Sequence, residues 1–456
     1  MNHTQRWQSV CPQLRRVQEK ARANPKERFT SLAHLLTVER LRKSYGRIDP
    51  SSAPGEDGVT KKDYGENLEN NLKELHRKLK EGKYRAKPVL RVRIEKPEGG
   101  ERLLGLPTTE DKIVQVAVVE ILNSVYEADF YGFSYGYRPG RQAHQALRAL
   151  QTALQKGKVN WVLDADISKF FDTIDHKELM AVIQRRVIDP SLLRLIGKWL
   201  AVGVVEEDGR RTRGKQGTPQ GGVISPLLAN IFLHEVVDKH IHEWRKRKAK
   251  GEVYIVRYAD DVVMAFEHEE DARELVNELN ERLKEYKLAL NERKTKLIRF
   301  GRKWGGPGSG TFDFLGFTHI VGMDCQGRYL VKRKTSRKRL NRSLKSFHQW
   351  CKRNRHGPIG WQHRELSRKL IGHYNYFGIR GNFAALRTVR HKVLKQWLIM
   401  LRKRIQRSNI SRLYRLLTET FVLPHPKITH SEGWFSSYPG DLLRRAGCGN
   451  AARPVL

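Results

Sequence analysis

The four residues Tyr258-Ala259-Asp260-Asp261 place two adjacent carboxylates between two apolar runs, Val253 to Arg257 and Val262 to Phe266, that alternate as strands do. Two such runs joined so closely predict a tight antiparallel hairpin. Adjacent carboxylates repel each other, and a divalent cation can neutralise two of them at the end of a strand. A solvated Asp-Asp turn is the alternative, because aspartate is also a common turn residue.

A third carboxylate for such a site lies in the apolar, β-prone run from Val162 to Ile167. This run contains Asp164 and Asp166, which share one face of a regular strand because side chains alternate with a period of two. Spacing alone therefore does not separate the two aspartates. Phe171 follows closely enough to line a pocket beside them.

The charge balance predicts a polyanionic partner. Lys and Arg number 87 against 49 Asp and Glu, which gives a net charge of +38 and a pI near 10.2. Self-repulsion of this size opposes folding unless a polyanion offsets it, and nucleic acid is the expected one. The sequence shows neither an apolar run of transmembrane length nor a signal-peptide pattern at its start, so we expect a soluble cytoplasmic protein and no membrane partner.

The cysteines give no sign of a disulfide framework or a zinc site. Cys11, Cys325, Cys351 and Cys448 lie far apart and form no Cys-x-x-Cys pair. The close pair His240-Ile241-His242 has no set of cysteines or carboxylates around it. We expect ordinary reduced thiols.

The secondary-structure pattern of the sequence changes along the chain. Residues 1–50 predict a basic helical arm, residues 51–330 mix strand-like and helix-like patterns, and residues 331–420 predict basic helices. Residues 421–456 predict an irregular tail rich in proline and glycine.

The basic helices favour contact with a phosphate backbone. Apolar residues recur every three or four positions from Leu386 to Ile405, with arginines and lysines on the other faces. Neither Lys332-Arg333-Lys334 nor Arg337-Lys338-Arg339 has nearby acids, although a solvated surface is the alternative. The predicted nucleic-acid contacts are Arg333, Lys334, Arg337, Lys338, Arg387, Arg390, Lys395 and Arg402.

Several segments, taken in order, resemble the motifs of group II intron reverse transcriptases, also called maturases. The similarity runs from about Gly55 through Gly381. It is carried by Phe133 to Arg141, Leu163 to Asp172, Gln216 to Asn230, Arg257 to Asp261, Leu290 to Thr295, Phe312 to Phe317 and Leu370 to Phe377.

The resemblance implies an α+β fold with the right-hand arrangement of polymerases. An N-terminal arm at 1–50 would precede fingers and palm at 51–330. A helical thumb, or X domain, would occupy 331–420, and a tail would occupy 421–456.

The implied activity is RNA-directed DNA synthesis, copying RNA into cDNA, together with binding of group II intron RNA as a maturase. The partners would be intron RNA, an RNA template with a DNA primer, target DNA and dNTPs. Asp166, Asp260 and Asp261, assisted by the carbonyl of Ile167, would hold two Mg²⁺ ions.

The resemblance also assigns a nucleotide pocket. Lys96 and Arg102 would grip the triphosphate, although a basic hairpin tip is the alternative. Phe171 would crowd a 2′-hydroxyl, although a core phenylalanine suits the spacing equally well. Gln220 would contact the nucleotide or template in a loop whose glycines allow close backbone approach.

Two other functions remain open at this point. One is an RNA-binding splicing cofactor without polymerase activity, and the other is a related transcriptase serving a defence or other host system. After about residue 410 we find none of the paired cysteines of the H-N-H endonuclease that many members carry, so we expect no DNA cleavage. The expected location is the bacterial cytoplasm, as a ribonucleoprotein.

Overall fold

The computed structural model describes residues 11–95, 101–206, 208–212, 217, 221–304, 308–404 and 410–430. The chain forms two compact units. Unit 1 contains the residues up to Ala153 and the segment Trp161–Leu297. Unit 2 contains Leu154–Asn160 and the described residues from Ile298 onward.

Helices and short strands alternate along the first part of the chain. The helices are α1 (Pro12–Ala23), α2 (Val38–Arg47), α3 (Lys61–Glu66), α4 (Leu68–Lys80), α5 (Thr109–Tyr126), α6 (Ala143–Lys156), α7 (Phe170–Thr173), α8 (His176–Gln184), α9 (Pro190–Ala201), α10 (Ser225–Leu233), α11 (Lys239–Arg247) and α12 (Glu269–Glu285). The strands are β1 (Val89–Glu95), β2 (Glu101–Leu106), β3 (Trp161–Ala165), β4 (Val204–Val205), β5 (Arg211–Thr212), β6 (Val253–Tyr258), β7 (Asp261–Phe266) and β8 (Lys296–Arg299).

Helix α5 is the centre of the core of unit 1. It is buried on nearly every side, and most of its residues from Ile113 to Val125 are apolar. Helices α1 and α2 pack directly against it, and Arg40 of α2 donates to the Glu120 carboxylate at 3.0 Å. Residues 11–50, the described part of the predicted basic arm, thus belong to unit 1.

The sheet that carries the hairpin has β7 between β6 and β3, and both pairings are antiparallel. The sequence predicts alternating strands here, but β6 and β7 are buried on both faces along most of their length. Helix α12 contacts β3 and β7 and so covers one face of this sheet. In a second sheet, in the order β2–β1–β4–β5, strand β1 pairs antiparallel with β2 and parallel with β4.

Unit 2 combines a small sheet with helices. Strands β9 (Thr311–Phe314), β10 (Phe317–Met323) and β11 (Tyr329–Thr335) form an antiparallel sheet with β10 in the centre. The helices are α13 (Arg337–Arg353), α14 (Ile359–Phe377), α15 (Phe383–Arg404) and α16 (Ile410–Arg415).

The apolar stripe predicted for α15 is the buried side of that helix. Leu386, Val389, Val393, Trp397 and Leu401 are all buried. The Trp397 indole donates to the Gln362 Oε1 at 2.7 Å, which satisfies the one polar group of a fully buried ring.

The mixture of helices and mainly antiparallel sheets, followed by helices, confirms the predicted α+β class. The division between the units falls near residue 297, so the sheet β9–β11 belongs with the helices that follow it. The functional boundaries at 50, 330 and 420 stay predictions. Among the described helices, none is long and apolar enough to cross a membrane.

Asp189 generates a prediction on stability. Its Oδ2 accepts from the backbone N–H groups of Leu32 and Ala33 at 2.6 and 2.7 Å, and its Oδ1 caps α9 through Ser191 and Leu192. Burial raises the pKa of Asp189, but the four backbone donors outweigh burial and hold the pKa below its ordinary value.

Asp189→Asn should therefore lower the free energy of unfolding by about 2 kcal/mol at pH 7, because an amide cannot accept all four bonds. Because the folded-state pKa of Asp189 is lowered, its contribution to the free energy of unfolding is fully present above the unfolded pKa of about 3.9. That contribution is lost as pH falls through the folded-state pKa. The difference in the free energy of unfolding between wild type and Asp189→Asn, measured by thermal unfolding, should become smaller below about pH 4. Glu66→Gln, at an exposed carboxylate, should show no such gap, and a pH-independent gap for Asp189→Asn would contradict the assignment.

Candidate active site

Asp260 and Asp261 lie at the end of a tight hairpin. Tyr258 pairs with Asp261 across the two strands, so Ala259 and Asp260 form a two-residue loop. Ala259 has a φ of +58°, a left-handed conformation that is unfavourable for a residue with a side chain. The tip is the accessible end of an otherwise buried hairpin, since Asp261 is exposed and Asp260 half-buried.

The pairing of β3 with β7 separates Asp166 from Asp164. Ala165 is opposite Val262, so Asp166 comes level with Asp261 one residue beyond the last pair. Asp164 is opposite Val263, two residues further from the hairpin tip. The register therefore brings Asp166 to the end of the sheet that carries Asp260 and Asp261.

The segment after β3 is fixed from the side by residues 289–295. The backbone N–H of Asn291 donates to the Asp166 carbonyl at 2.7 Å, and Ser168 N–H donates to the Ala289 carbonyl at 2.9 Å. Ile167 forms an isolated antiparallel bridge with Leu290 and is buried. These bonds fix the backbone of Asp166 and Ile167 against residues 289–291.

The Asp166 side chain is paired with a cation of the protein. Lys294 Nζ lies 3.2 Å from both carboxylate oxygens, and its side chain is 65% exposed. Within the described part of the chain, no three His, Cys, Asp or Glu side chains form a cluster that could hold a metal ion. The backbone thus brings the three aspartates to one end of the sheet, while the Asp166 carboxylate is directed at Lys294.

The donor set suits a hard divalent cation. It consists of carboxylates from two different strands and a backbone carbonyl, and hard cations such as Mg²⁺ prefer oxygen ligands. Lys294 is exposed and flexible, so it can leave the Asp166 carboxylate without disturbing the core.

The two phenylalanines after Asp166 have different surroundings. Phe170 is 2% exposed and packs against Phe232, with ring centroids 6.5 Å apart. Phe171 is half-buried and meets the Phe170 ring edge-on at 5.5 Å. The core role open to Phe171 from its spacing therefore belongs to Phe170, and Phe171 lies closer to the surface.

Two glycines in the loop around Gln220 are in positions that require glycine. Gly217 and Gly221 have φ values of +86° and +115°. A side chain at Gly217 would meet the Asp172 carbonyl at 2.9 Å, and one at Gly221 would meet the Gly105 carbonyl of β2 at 2.6 Å. Only glycine allows this approach of backbone to backbone.

Part of the predicted nucleotide pocket lies outside the described residues. This applies to Lys96 and Gln220. The backbone of Arg102 is in β2, opposite Ile94 of β1.

Most of the cations predicted to contact nucleic acid are exposed. Those exposed are Lys334, Arg337, Lys338, Arg387, Lys395 and Arg402. Arg390 is half-buried and donates to the Leu423 carbonyl at 3.1 Å.

Arg333 is placed differently from the prediction. It is 3% exposed and pairs across the sheet with His319, so it cannot meet a phosphate on the surface. In β11, Val331, Arg333 and Thr335 face inward because alternate residues point to opposite faces. Burial and the Arg333 charge lower the pKa of His319 to about 3, so His319 is neutral at physiological pH.

The sequence did not single out a basic groove between α13 and α14. The groove is an open pocket of about 480 Å³, and Arg339, Arg342 and Lys369 provide cations along it. No acid lines it. Tyr376, whose hydroxyl donates to the Leu315 carbonyl at 2.9 Å, forms part of its wall. The spacing of Arg339 and Arg342, which places both on one face of a helix, is the sequence signal that could have indicated this groove.

Comparison with known proteins gives a family and several relatives. Residues 94–319 match the family described as "Reverse transcriptase (RNA-dependent DNA polymerase)". Protein YkfC of Escherichia coli K12 is 33% identical over 323 residues, which cover 63% of this chain and 84% of YkfC.

Two intron-encoded proteins are also similar. The group II intron-encoded protein LtrA of Lactococcus lactis is 36% identical over 230 residues, or 50% of this chain and 38% of LtrA. The putative COX1/OXI3 intron 1 protein of Saccharomyces cerevisiae is 26% identical over 433 residues, or 78% of this chain and 51% of that protein. The chain thus covers about half or less of these two relatives.

The ion pair of Lys294 with Asp166 predicts competition with a bound cation. Lys294→Gln should tighten Mn²⁺ binding about fivefold, because removing a positive charge about 4 Å from a cation changes its energy by roughly 1 kcal/mol in water. Electron paramagnetic resonance titration of free Mn²⁺ measures this directly. Lys287→Gln, at a lysine paired with Asp175, is the control, and equal affinities for all three proteins would exclude the competition.

Proposed function

The chain belongs to the reverse transcriptases encoded by group II introns, and on that basis we propose that it copies RNA into cDNA with Asp166, Asp260 and Asp261 as its catalytic carboxylates. The observation that supports this most is the strand register, which brings Asp166 level with Asp261 at the end of the hairpin. An ordinary Asp-Asp turn would not need a third carboxylate at that position.

The family depends on divalent metal ions, and we propose two Mg²⁺ ions here, held by the three aspartates and the Ile167 carbonyl. When bound, such ions lower the pKa of a primer 3′-hydroxyl and neutralise charge on the triphosphate. The chain contributes a fixed geometry: the hairpin sets Asp260 and Asp261, and the bond from Asn291 to the Asp166 carbonyl sets Asp166.

Phe171, Lys96, Arg102 and Gln220 are the proposed nucleotide contacts. The half-buried Phe171 ring lies five residues after Asp166, and the backbone beside it is in contact range of Gly217. A ring in this position would crowd a ribose 2′-hydroxyl and so favour deoxynucleotides. The two cations would bind phosphate oxygens through charge-assisted hydrogen bonds.

We also propose that unit 2 binds structured group II intron RNA, as a maturase that assists splicing and mobility. Helices α13 and α15 contain no Asp or Glu, so their exposed cations are not neutralised along the helix. RNA duplexes are held mainly through phosphates and 2′-hydroxyls, which such helices suit. The proposed partners are intron RNA, a primed RNA template, target DNA and dNTPs, in a bacterial cytoplasmic ribonucleoprotein.

Asp166→Asn, Asp260→Asn and Asp261→Asn should each reduce primer extension on an RNA template by at least about a hundredfold, because each removes a charged oxygen ligand. The measurement is incorporation of labelled dNTP with Mg²⁺, with template affinity followed by fluorescence anisotropy. Asp164→Asn is the matched control and should keep most of the activity. Full activity of an Asp260 or Asp261 variant would refute the assignment, and loss confined to Asp164→Asn would exchange the two aspartates of β3.

The exposed face of α15 predicts a salt-dependent loss of RNA binding. Lys395 and Arg402 follow Arg387 by about 2.2 and 4.2 turns, so all three lie within an arc of about 80° on one side of the helix. Replacing the three by Gln should weaken binding of a structured intron RNA about tenfold to a hundredfold near 0.1 M salt. It should also reduce the slope of log K against log salt by about two.

The control for this variant removes the same charge elsewhere. Lys43→Gln/Arg273→Gln/Lys284→Gln takes three exposed cations that each pair with a glutamate on their own helix. Its salt slope should match that of the wild type. Equal slopes for the two triple variants would show that the α15 face does not contact RNA.

A further inference from the structure

An arginine is completely buried directly beneath the hairpin tip. Arg257 is in β6, one residue before Tyr258, and its side chain has no exposed surface. A buried guanidinium is unfavourable unless each of its donors is satisfied. Its neighbours therefore show what it holds in place.

The first partner is Asp238. Arg257 Nε and Nη2 donate to the two Asp238 oxygens at 2.7 and 2.5 Å, a bidentate pair in which Asp238 is 1% exposed. Burial raises the pKa of Asp238, but the Arg257 charge and the neighbouring His234, whose Nδ1 lies 3.6 Å from Asp238 Oδ2, outweigh burial and keep the pKa below its ordinary value. The carboxylate is therefore ionised and anchors the guanidinium.

Asp238 ends a π-helical turn, His234–Asp238, that lies between α10 and α11. Such turns insert a residue and shift the helix register, and they occur often at functional sites. Here the turn joins the two helices into one continuous run, and Asp238 at its end carries the carboxylate that Arg257 binds.

The remaining donor of Arg257 reaches the catalytic loop itself. Arg257 Nη1 donates to the Ala259 carbonyl at 2.9 Å, and also to Asn230 Oδ1 at 2.8 Å. The Ala259 carbonyl belongs to the peptide bond that precedes Asp260. Arg257 thus fixes the orientation of that peptide, next to a residue in an unfavourable left-handed conformation.

A second set of contacts, from Asn230 and the segment ending at Gly136, holds the same loop. Asn230 Nδ2 donates to the Gly136 carbonyl at 2.6 Å. A side chain at Gly136 would overlap the backbone nitrogen of Ala259. The segment before Gly136 is also paired with the strand, since Arg257 N–H donates to Phe133 and Tyr135 N–H donates to the Arg257 carbonyl, both at 2.9 Å.

We propose that Arg257 is a positioning residue for catalysis: held by Asp238, it fixes the Ala259 peptide and thereby sets Asp260 and Asp261 against Asp166. This inference rests on the proposed catalytic role of those aspartates. It also gives the block from Phe133 to Arg141 a function, because Gly136 supplies the surface against which the loop is pressed.

The decisive variant is Arg257→Met/Asp238→Leu, which replaces the ion pair with apolar side chains and leaves no buried charge unpaired. The double variant should keep its thermal unfolding temperature within a few degrees and its primed-template affinity within twofold. Its kcat should fall at least thirtyfold, since small misplacements of reacting groups cost this much. The Mg²⁺ concentration for half-maximal rate should rise severalfold, with the KM for dNTP little changed.

Two further variants make the test independent of that one replacement. Gly136→Ala leaves the ion pair intact but pushes on Ala259, so it should show the same loss of kcat and the same shift in Mg²⁺ dependence. Arg257→Lys keeps the charge but lacks the planar fork of donors that makes the four bonds of Arg257, and its kcat should fall between those of wild type and the double variant.

Arg40→Met is the matched control. Arg40 of α2 forms a buried ion pair with Glu120 of α5, and their side chains are 6% and 7% exposed. Its removal should lower the unfolding temperature but leave the Mg²⁺ dependence at the wild-type value. If the Arg257 variants also lose only stability, the proposal is overturned and Arg257 is a structural residue.

Failure of the proposed function gives a different result. In that case Asp260→Asn keeps full activity, whatever Arg257 does. If Asp260→Asn is inactive and the folded double variant or Gly136→Ala keeps the wild-type kcat and Mg²⁺ dependence, only the positioning role is wrong.

Discussion

The buried ion pair of Arg257 with Asp238 is the interaction on which the hairpin end depends. Taking two charges out of water is costly, and attraction between them offsets the cost only when the geometry is bidentate and every other donor is satisfied. Removing one partner of such a pair costs about 3–5 kcal/mol. The contacts with Asn230 and Ala259 are therefore part of the same condition. A helix, a hairpin and the segment ending at Gly136 are held together because the guanidinium has to satisfy all its donors at once.

The sequence predicted the parts of this site that follow from local pattern. Two apolar runs around Ala259-Asp260 predicted the hairpin, and the β-prone run from Val162 predicted the third strand. Spacing could not choose between Asp164 and Asp166, because both lie on one face of a strand. The register of β3 against β7 brings Asp166 rather than Asp164 level with Asp261, and it depends on contacts between residues about a hundred positions apart in the chain. The resemblance to a known family gave the same aspartate in advance.

The residues that sequence reasoning missed are those whose role depends on burial. Arg257 reads as a polar position at the end of a strand, and its partner Asp238 is on a helix 19 positions earlier. Nothing local links the two. Arg333 shows the opposite error, since a run of three cations suggested a basic surface. In a strand such a run must alternate between faces, and period two would have placed Arg333 with the inward-facing Val331.

The site and the network beneath it balance charge in two different ways. Asp238 is neutralised by Arg257, which is fully buried and held in place by its hydrogen bonds. Asp166, in contrast, is paired with Lys294, whose exposed side chain costs little to move. A site that binds and releases cations in each catalytic cycle needs a fixed backbone. It also needs a carboxylate, such as Asp166, whose counter-charge can be replaced by the cation. In the proposed function, the buried charges would fix the geometry of the loop, and the exposed charges at the hairpin tip would bind the cations.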